Sequence, residues 1–185
     1  MKTLIFDGSP RKNGDTAALI AAFLENYSGE YTVIRAYEQR DISPCVDCRA
    51  CWKKPGCIIG DGMQQIYRLI EESDCIVIAS PLYYSELTGP LLSLLSRLQV
   101  YYCARKFQGV RLIEKQKTGA ILLCGGGDGG PEQAIKTANM LLRSMNARDI
   151  LPPIMSLHTN EIPASADEAA LRAAREAGIR LSSAR

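Results

Sequence analysis

A chain of 185 residues, 46% apolar and 23% charged, can build one sizeable core, which excludes a disordered tail and makes a second folded domain unexpected. The formal net charge is only +2 and the basic residues are scattered, so nucleic acid is not the expected partner. The opening MKTLIFDGSP has only Leu4 to Phe6 as an apolar run, too short for a signal-peptide core or a membrane span, so the expectation is a cytoplasmic protein with no membrane partner.

In chain order, TLIF (3–6) reads as a strand, a polar loop follows, and a helical pattern covers roughly 14–27. YTVIRA (31–36) is the second strand, a cysteine-rich stretch occupies 44–60, and a helix covers 62–73. DCIVIAS (74–80) precedes a helix over 88–104, and TGAILLC (118–124) precedes one over 131–146. DILPPIMSL (149–157), interrupted by Pro152 and Pro153, precedes a last helix over 166–181. The apolar runs are continuous rather than alternating, as in strands buried on both faces. Strand and helix alternate, so the expected architecture is α/β: a doubly wound, five-stranded parallel sheet in a three-layer α/β/α arrangement. Residues 1–185 then form a single domain in which 44–60 is an insertion between the second strand and its helix.

Ligands of such sheets bind beyond the carboxyl ends of the strands, and three loops there are distinctive. GSPRKNGDT (8–16) combines a turn glycine, the hydroxyls of Ser9 and Thr16, the charges of Arg11 and Lys12, and a following helix start, a combination suited to a phosphate. Gly14 is followed by Asp15 rather than Lys, so this is not a nucleoside triphosphatase loop; the plain alternative is a polar turn with a capping residue. SPLYYSELTGPL (80–92) restrains its backbone at Pro81 and offers the flat faces of Tyr83 and Tyr84 to a planar ligand, or uses them to cover the core. CGGGDGGPEQ (124–133) satisfies G-x-G-x-x-G, but not in the first βα turn where a dinucleotide fingerprint belongs; its glycines suit close approach of backbone N–H groups to a flat ring. A phosphate at one loop and an aromatic ring between the other two describe flavin mononucleotide, FMN.

Seven cysteines in a cytoplasmic chain favour ligation or catalysis over disulfides. Cys75, Cys103 and Cys124 sit in apolar surroundings and read as core. Cys45, Cys48, Cys51 and Cys57 form C-x2-C-x2-C-x5-C, which suits a [4Fe–4S] cluster better than zinc: a compact run can place one thiolate on each iron, whereas a single zinc gathers its ligands from two separated knuckles. Arg49, Lys53 and Lys54 lie nearby to offset the negative charge of such a cluster, and Trp52 and Pro55 to shield it. Free thiols, a Cys48–Cys51 disulfide and zinc remain open alternatives. His158, the only histidine, reads as a polar residue at a strand end.

The three loops in this order resemble the NAD(P)H-dependent FMN reductases of flavodoxin-like fold over nearly the whole chain. That resemblance implies sheet order 2-1-3-4-5. It also implies an FMN phosphate near Ser9, Arg11, Asn13 and Thr16, with the ring near Pro81, Leu82, Tyr83, Tyr84, Gly125, Gly126 and Gly127. The cysteine run is similar to that of the iron–sulfur flavoproteins, a branch of the same family, matching at Cys45, Cys48, Cys51 and Cys57. The activity implied is hydride transfer from a nicotinamide nucleotide to FMN, then electron transfer through a [4Fe–4S] cluster to an acceptor that is a small molecule or a redox protein. The cofactors carry the chemistry, and no protein group is named as a catalytic acid or base. An FMN electron carrier or redox sensor that does not use NAD(P)H, and a cluster-free NAD(P)H:FMN reductase, are the alternatives. A homodimer or homotetramer is implied as well. Relatives commonly carry a Lys and an Asp-Arg pair where this chain has Ser93 and then Ser96-Arg97, a departure touching the subunit contact.

Overall fold

Alternate side chains of the first strand, β1 (Lys2–Asp7), enter two different cores: Leu4 and Phe6 join one, Ile5 the other. A strand with both faces covered needs apolar residues in unbroken sequence, which is why TLIF does not alternate. The same division continues in β3 (Cys75–Pro81), with Ile76 and Ile78 on one face and Val77 and Ala79 on the other, and in β4 (Lys117–Cys124). The computed structural model describes residues 1–127 and 129–183; Asp128, inside the glycine loop, lies outside them.

The remaining strands are β2 (Glu30–Arg35), β5 (Ala147–Ile150) and β6 (Ile154–Ser156). All pairings are parallel, in the order β2-β1-β3-β4-β5, with β6 also on β4. This is the flavodoxin-like order expected, with two corrections. β2 is not buried on both faces: Glu30, Tyr31 and Thr32 are exposed, because β2 is an edge strand. The single fifth strand is two short ones. Pro152 and Pro153 cannot donate to a ladder, so β5 pairs the first part of β4 and β6 the last part.

Helices α1 (Asp15–Glu25) and α7 (Glu168–Ser183) cover one face, where Leu19, Phe23, Ala174 and Leu181 meet Ile5, Val77 and Leu122. The other face is covered by α3 (Met63–Glu72), α4 (Gly89–Leu95), α5 (Gln99–Gln108) and α6 (Glu132–Ser144). The helix expected over 88–104 is interrupted between α4 and α5 by a 3-10 turn at Ser96–Leu98, where Ser96 Oγ donates to the Ser93 carbonyl at 2.6 Å. A short helix, α2 (Ala50–Lys53), forms inside the cysteine stretch. Among the described residues no helix is long and apolar enough to cross a membrane.

Burial raises several core groups and gives the fold an alkaline limit. Cys75 is pushed up to about 11 and Cys124 to about 12 by loss of water, and burial raises Tyr67 and Tyr101 as well. These groups stay protonated in the native state at a pH where the unfolded chain has released its protons: the contribution of the thiols is complete below the ordinary thiol value and is lost as pH rises towards 11–12, and that of the tyrosines starts to fall only above the ordinary phenol value of 10. Lys117 acts oppositely. Burial lowers it to about 8 while its Nζ donates to the carbonyls of Glu71 and Ser73, so it favours folding as pH rises from there towards the ordinary lysine value of 10.5. The expected Tm under reducing conditions therefore falls above about pH 10, where the raised thiols and tyrosines outweigh one lysine. A Tm constant or rising up to pH 11 in thermal denaturation would contradict this balance.

Candidate functional site

The three loops singled out in the sequence meet at the carboxyl ends of β1, β3 and β4, and hydrogen bonds join them into one rim. Thr88 Oγ1 donates to the Gly8 carbonyl at 2.8 Å, Leu82 N–H to the Cys124 carbonyl at 2.7 Å, and Ser85 Oγ to the Gly129 carbonyl at 2.7 Å. Gly8 is required by close approach: a Cβ there would lie 2.8 Å from Leu91 Cδ2 and 2.9 Å from Ser80 Oγ and Thr88 Oγ1.

In the first loop Ser9 and Thr16 are buried, whereas Arg11, Lys12 and Asn13 are exposed. Ser9 N–H is held by the Asp7 carboxylate at 2.8 Å, and Ser9 Oγ accepts from Arg11 N–H at 3.2 Å, so the turn is fixed from beneath. Burial raises the Asp7 carboxyl, and the Ser9 amide and Arg35, 3.3 Å away, only partly counter it. Arg11 reaches forward to Asp15 in the first turn of α1 at 2.9 Å. Lys12 pairs with Glu38 at 3.1 Å, so the two exposed cations that precede this 11-residue helix suit a phosphate dianion that displaces their carboxylates.

The second loop turns through Tyr84 and Ser85, both left-handed, while Tyr83 and Glu86 exchange backbone hydrogen bonds at 2.9 and 3.1 Å. Such a turn needs positive φ at both central positions and normally takes glycine or asparagine, so here it carries strain and projects Tyr84 wholly into solvent beside the half-exposed Tyr83. Pro81 and Leu82 are half-buried at its base. In the third loop Gly125 N–H is committed to the Ser156 carbonyl, and the carbonyls of Gly125 and Gly127 accept from Thr159 and His158 N–H. A Cβ on Gly126 would lie 2.7 Å from the Asn160 amide, whereas at Gly127 it would meet nothing within 4 Å. The loop 157–160 therefore backs the glycine loop, a support the sequence reading missed. His158, read from the sequence only as a polar strand-end residue, is left-handed in that loop at φ 58°.

The cysteine stretch forms a second feature. Cys45, Cys48, Cys51 and Cys57 all line one cavity of about 510 Å³, together with Arg49, Trp52, Arg97 and Cys103. Cys45 and Cys48 are exposed, whereas Cys51 and Cys57 are half-buried against the core. Trp52 stacks on Phe107 of α5 with ring centroids 4.3 Å apart, and the Arg49 guanidinium lies 4.9 Å above the Trp52 ring. Gln108 ties down the Cys51 carbonyl at 2.7 Å. Burial and a hydrogen bond with Cys103 push the Cys51 thiol up to about 11. Cys103 is core, as expected, and is also a fifth thiol of this cavity, which the spacing of the other four does not reveal. Lys53, Lys54 and Pro55 are exposed and do not line it. Among the described residues no three His, Cys, Asp or Glu side chains converge on a point where a single metal ion could sit.

A parallel sheet of this order with a phosphate-suited loop and a tyrosine loop on one rim defines a flavodoxin-like nucleotide-binding protein. Residues 1–161 match the family model described as NADPH-dependent FMN reductase, and the chain belongs to that family. It is an NAD(P)H-dependent FMN oxidoreductase. An iron-sulfur flavoprotein of Archaeoglobus fulgidus is 29% identical over 186 residues, covering 100% of this chain and 80% of the relative. One of Methanosarcina thermophila is 32% identical over 140 residues, covering 74% of this chain and 70% of the relative. Among solved structures, an NAD(P)H:quinone oxidoreductase from Methanothermobacter marburgensis superimposes with a TM-score of 0.79 at 17% identity, covering 100% of this chain and 98% of that one. An FMN-dependent NADH-azoreductase from Bacillus anthracis, in complex with FMN, gives 0.67 at 17% identity, covering 98% and 100%. At such identities the structural likeness speaks for the fold.

Proposed function

We propose that this protein is an iron–sulfur flavoprotein: a nicotinamide nucleotide reduces FMN on the loop rim, and the electrons leave through a [4Fe–4S] cluster in the cysteine cavity. Residues 1–185 act as one flavodoxin-like unit with 44–60 inserted as the cluster-bearing segment. Ser9, Arg11, Asn13 and Thr16 hold the phosphate. Pro81, Leu82, Tyr83, Tyr84 and Gly125 to Gly127 border the ring. Cys45, Cys48, Cys51 and Cys57 ligate the cluster. When bound, FMN supplies acceptance of two electrons from the nicotinamide and their release one at a time, chemistry no side chain here can perform. The chain's own groups bind and orient: exposed cations and helix-start amides take the phosphate, the tyrosine turn offers flat surface, and no side chain is assigned a proton to move.

The observation that carries the cluster reading is that four thiols at this spacing open onto one cavity. In a [4Fe–4S] cluster each iron takes one thiolate, so the sulfurs surround a volume instead of meeting at a point, as they would around zinc. The two iron-sulfur flavoproteins above support the same reading. The acceptor is a small molecule or redox protein, and the assembly is a homodimer or homotetramer. Protein purified without oxygen is expected to carry one FMN with about four iron and about four labile sulfide per chain, and to oxidise NADH or NADPH. Flavin without iron would reduce the proposal to a cluster-free reductase; flavin and iron without nicotinamide oxidation would make it an electron carrier.

A further inference from the structure

Arg97 is almost wholly buried, its side chain 1% exposed, and it is the cation that reaches the cysteine segment from below. Its Nη1 donates to Asp61 Oδ2 at 2.6 Å and to the Ser43 carbonyl at 2.9 Å; its Nη2 donates to Asp61 Oδ1 at 3.2 Å and to Cys57 Sγ at 3.3 Å. The four Nη hydrogens are thus engaged by four acceptor atoms on three residues, while the buried Nε has no partner. The neighbouring Ser96 Oγ accepts from Cys45 N–H at 2.9 Å, and Tyr67 Oη donates to the Arg97 carbonyl at 2.8 Å. The turn at 96–97 therefore grips both ends of the cysteine run, Ser43 and Cys45 on one side, Cys57 and Asp61 on the other.

We propose that Arg97 is a positioning residue for the cysteine centre, holding the Cys57 sulfur and placing a permanent positive charge beside it so that the cluster accepts an electron more readily. The inference rests on the cluster reading above. A cluster bound by four thiolates is already negative, and its potential follows net charge, hydrogen bonds to sulfur and solvent exposure, all of which Arg97 alters at Cys57. Arginine fits because its guanidinium stays charged when buried and forks onto a carboxylate while keeping N–H groups for another acceptor. Asp61 is more than a counter-ion: it also accepts from Met63 N–H at 3.1 Å at the start of α3. Burial alone would raise its carboxyl, but the bonds from Arg97 and Met63 hold it below the usual range, so the pair keeps both charges.

A purely structural clip would lose cluster on any damage to the pair. An electrostatic role requires opposite signs from its two members. Wild type, Arg97→Gln, Arg97→Lys and Asp61→Asn are reconstituted with iron and sulfide under argon, and iron per flavin and the cluster midpoint potential are measured by dithionite titration. Arg97→Gln is expected to shift the reduction equilibrium about tenfold towards the oxidised cluster, ~59 mV for a one-electron couple. Arg97→Lys should recover part of that shift, and Asp61→Asn should move it the other way. Where Arg97→Gln fails to fold or to hold iron, the upward shift in Asp61→Asn decides in favour, and its absence against. Unchanged potentials in iron-replete variants, or a shift of the same sign in Arg97→Gln and Asp61→Asn, overturn the inference. A wild type that takes up no iron removes the cluster reading first, before any variant is compared.

Discussion

Gly178→Ala is expected to lower the stability of the protein by about 2 kcal/mol, even though the change improves helix propensity by about 1 kcal/mol. Gly178 lies in α7 where it crosses α1. A Cβ built there overlaps the carbonyl oxygen of Phe23 and comes within 3.0 Å of its carbonyl carbon. Both atoms are backbone, so no rotamer change relieves the clash; α1 and α7 have to separate. Separation is resisted because Phe23 is buried, stacks on Tyr27 at 5.8 Å, and Tyr27 in turn pairs with Thr3 of β1 at 2.7 Å. Overpacking of a tight core costs about 1–3 kcal/mol, sometimes more, and an unyielding backbone contact belongs at the upper end. The folded-to-unfolded ratio should fall about thirtyfold, read as a lower urea midpoint with an unchanged m-value. A midpoint at or above that of the wild type would mean that the helices part freely and propensity wins.

The parts of this fold that were legible in the sequence are those where one local rule dominates. β3 and β4 announce themselves because burial on both faces demands unbroken apolar runs. β2 was misread because its run is apolar for a different reason: only its inner half is shielded, and the edge position that exposes Glu30 to Thr32 is a property of strand order, not of composition. The break between α4 and α5 was hidden because Ser96 bonds back to Ser93, a local competition that leaves the apolar periodicity intact. That break places Arg97 beneath the cysteines, and Arg97 and Cys57 are 40 residues apart, so no window of sequence contains both. A signal did exist: an arginine inside LLSLLSRLQV sits in an otherwise apolar helix face and needs a buried partner. The four-cysteine spacing was legible, but Cys103 joined their cavity through packing of α5, which spacing cannot encode.

Arg11→Ala is expected to weaken FMN binding about tenfold while leaving riboflavin binding unchanged. A hydrogen bond to a charged group contributes about 1.5–3 kcal/mol, and the 69% exposure of the Arg11 side chain places it at or below the low end of that range. Riboflavin lacks the phosphate, so a contact made only to phosphate disappears from its binding, whereas damage to the loop itself weakens both ligands. The salt dependence of FMN affinity should fall with the loss of the cation, since an exposed charge pair is screened by added ions. Asp15 sets the size of the effect. Its Oδ2 now holds the Arg11 guanidinium at 2.9 Å, while its Oδ1 accepts from Ala164 N–H at 3.0 Å, so at the proposed phosphate site the carboxylate would compete for Arg11 and repel a dianion from the start of α1. Asp15→Asn keeps an oxygen for Ala164, removes the competing charge, and should tighten FMN binding severalfold without affecting riboflavin. Equal losses for the two flavins in Arg11→Ala, or weaker FMN binding in Asp15→Asn, would mean that the phosphate is held elsewhere on the rim.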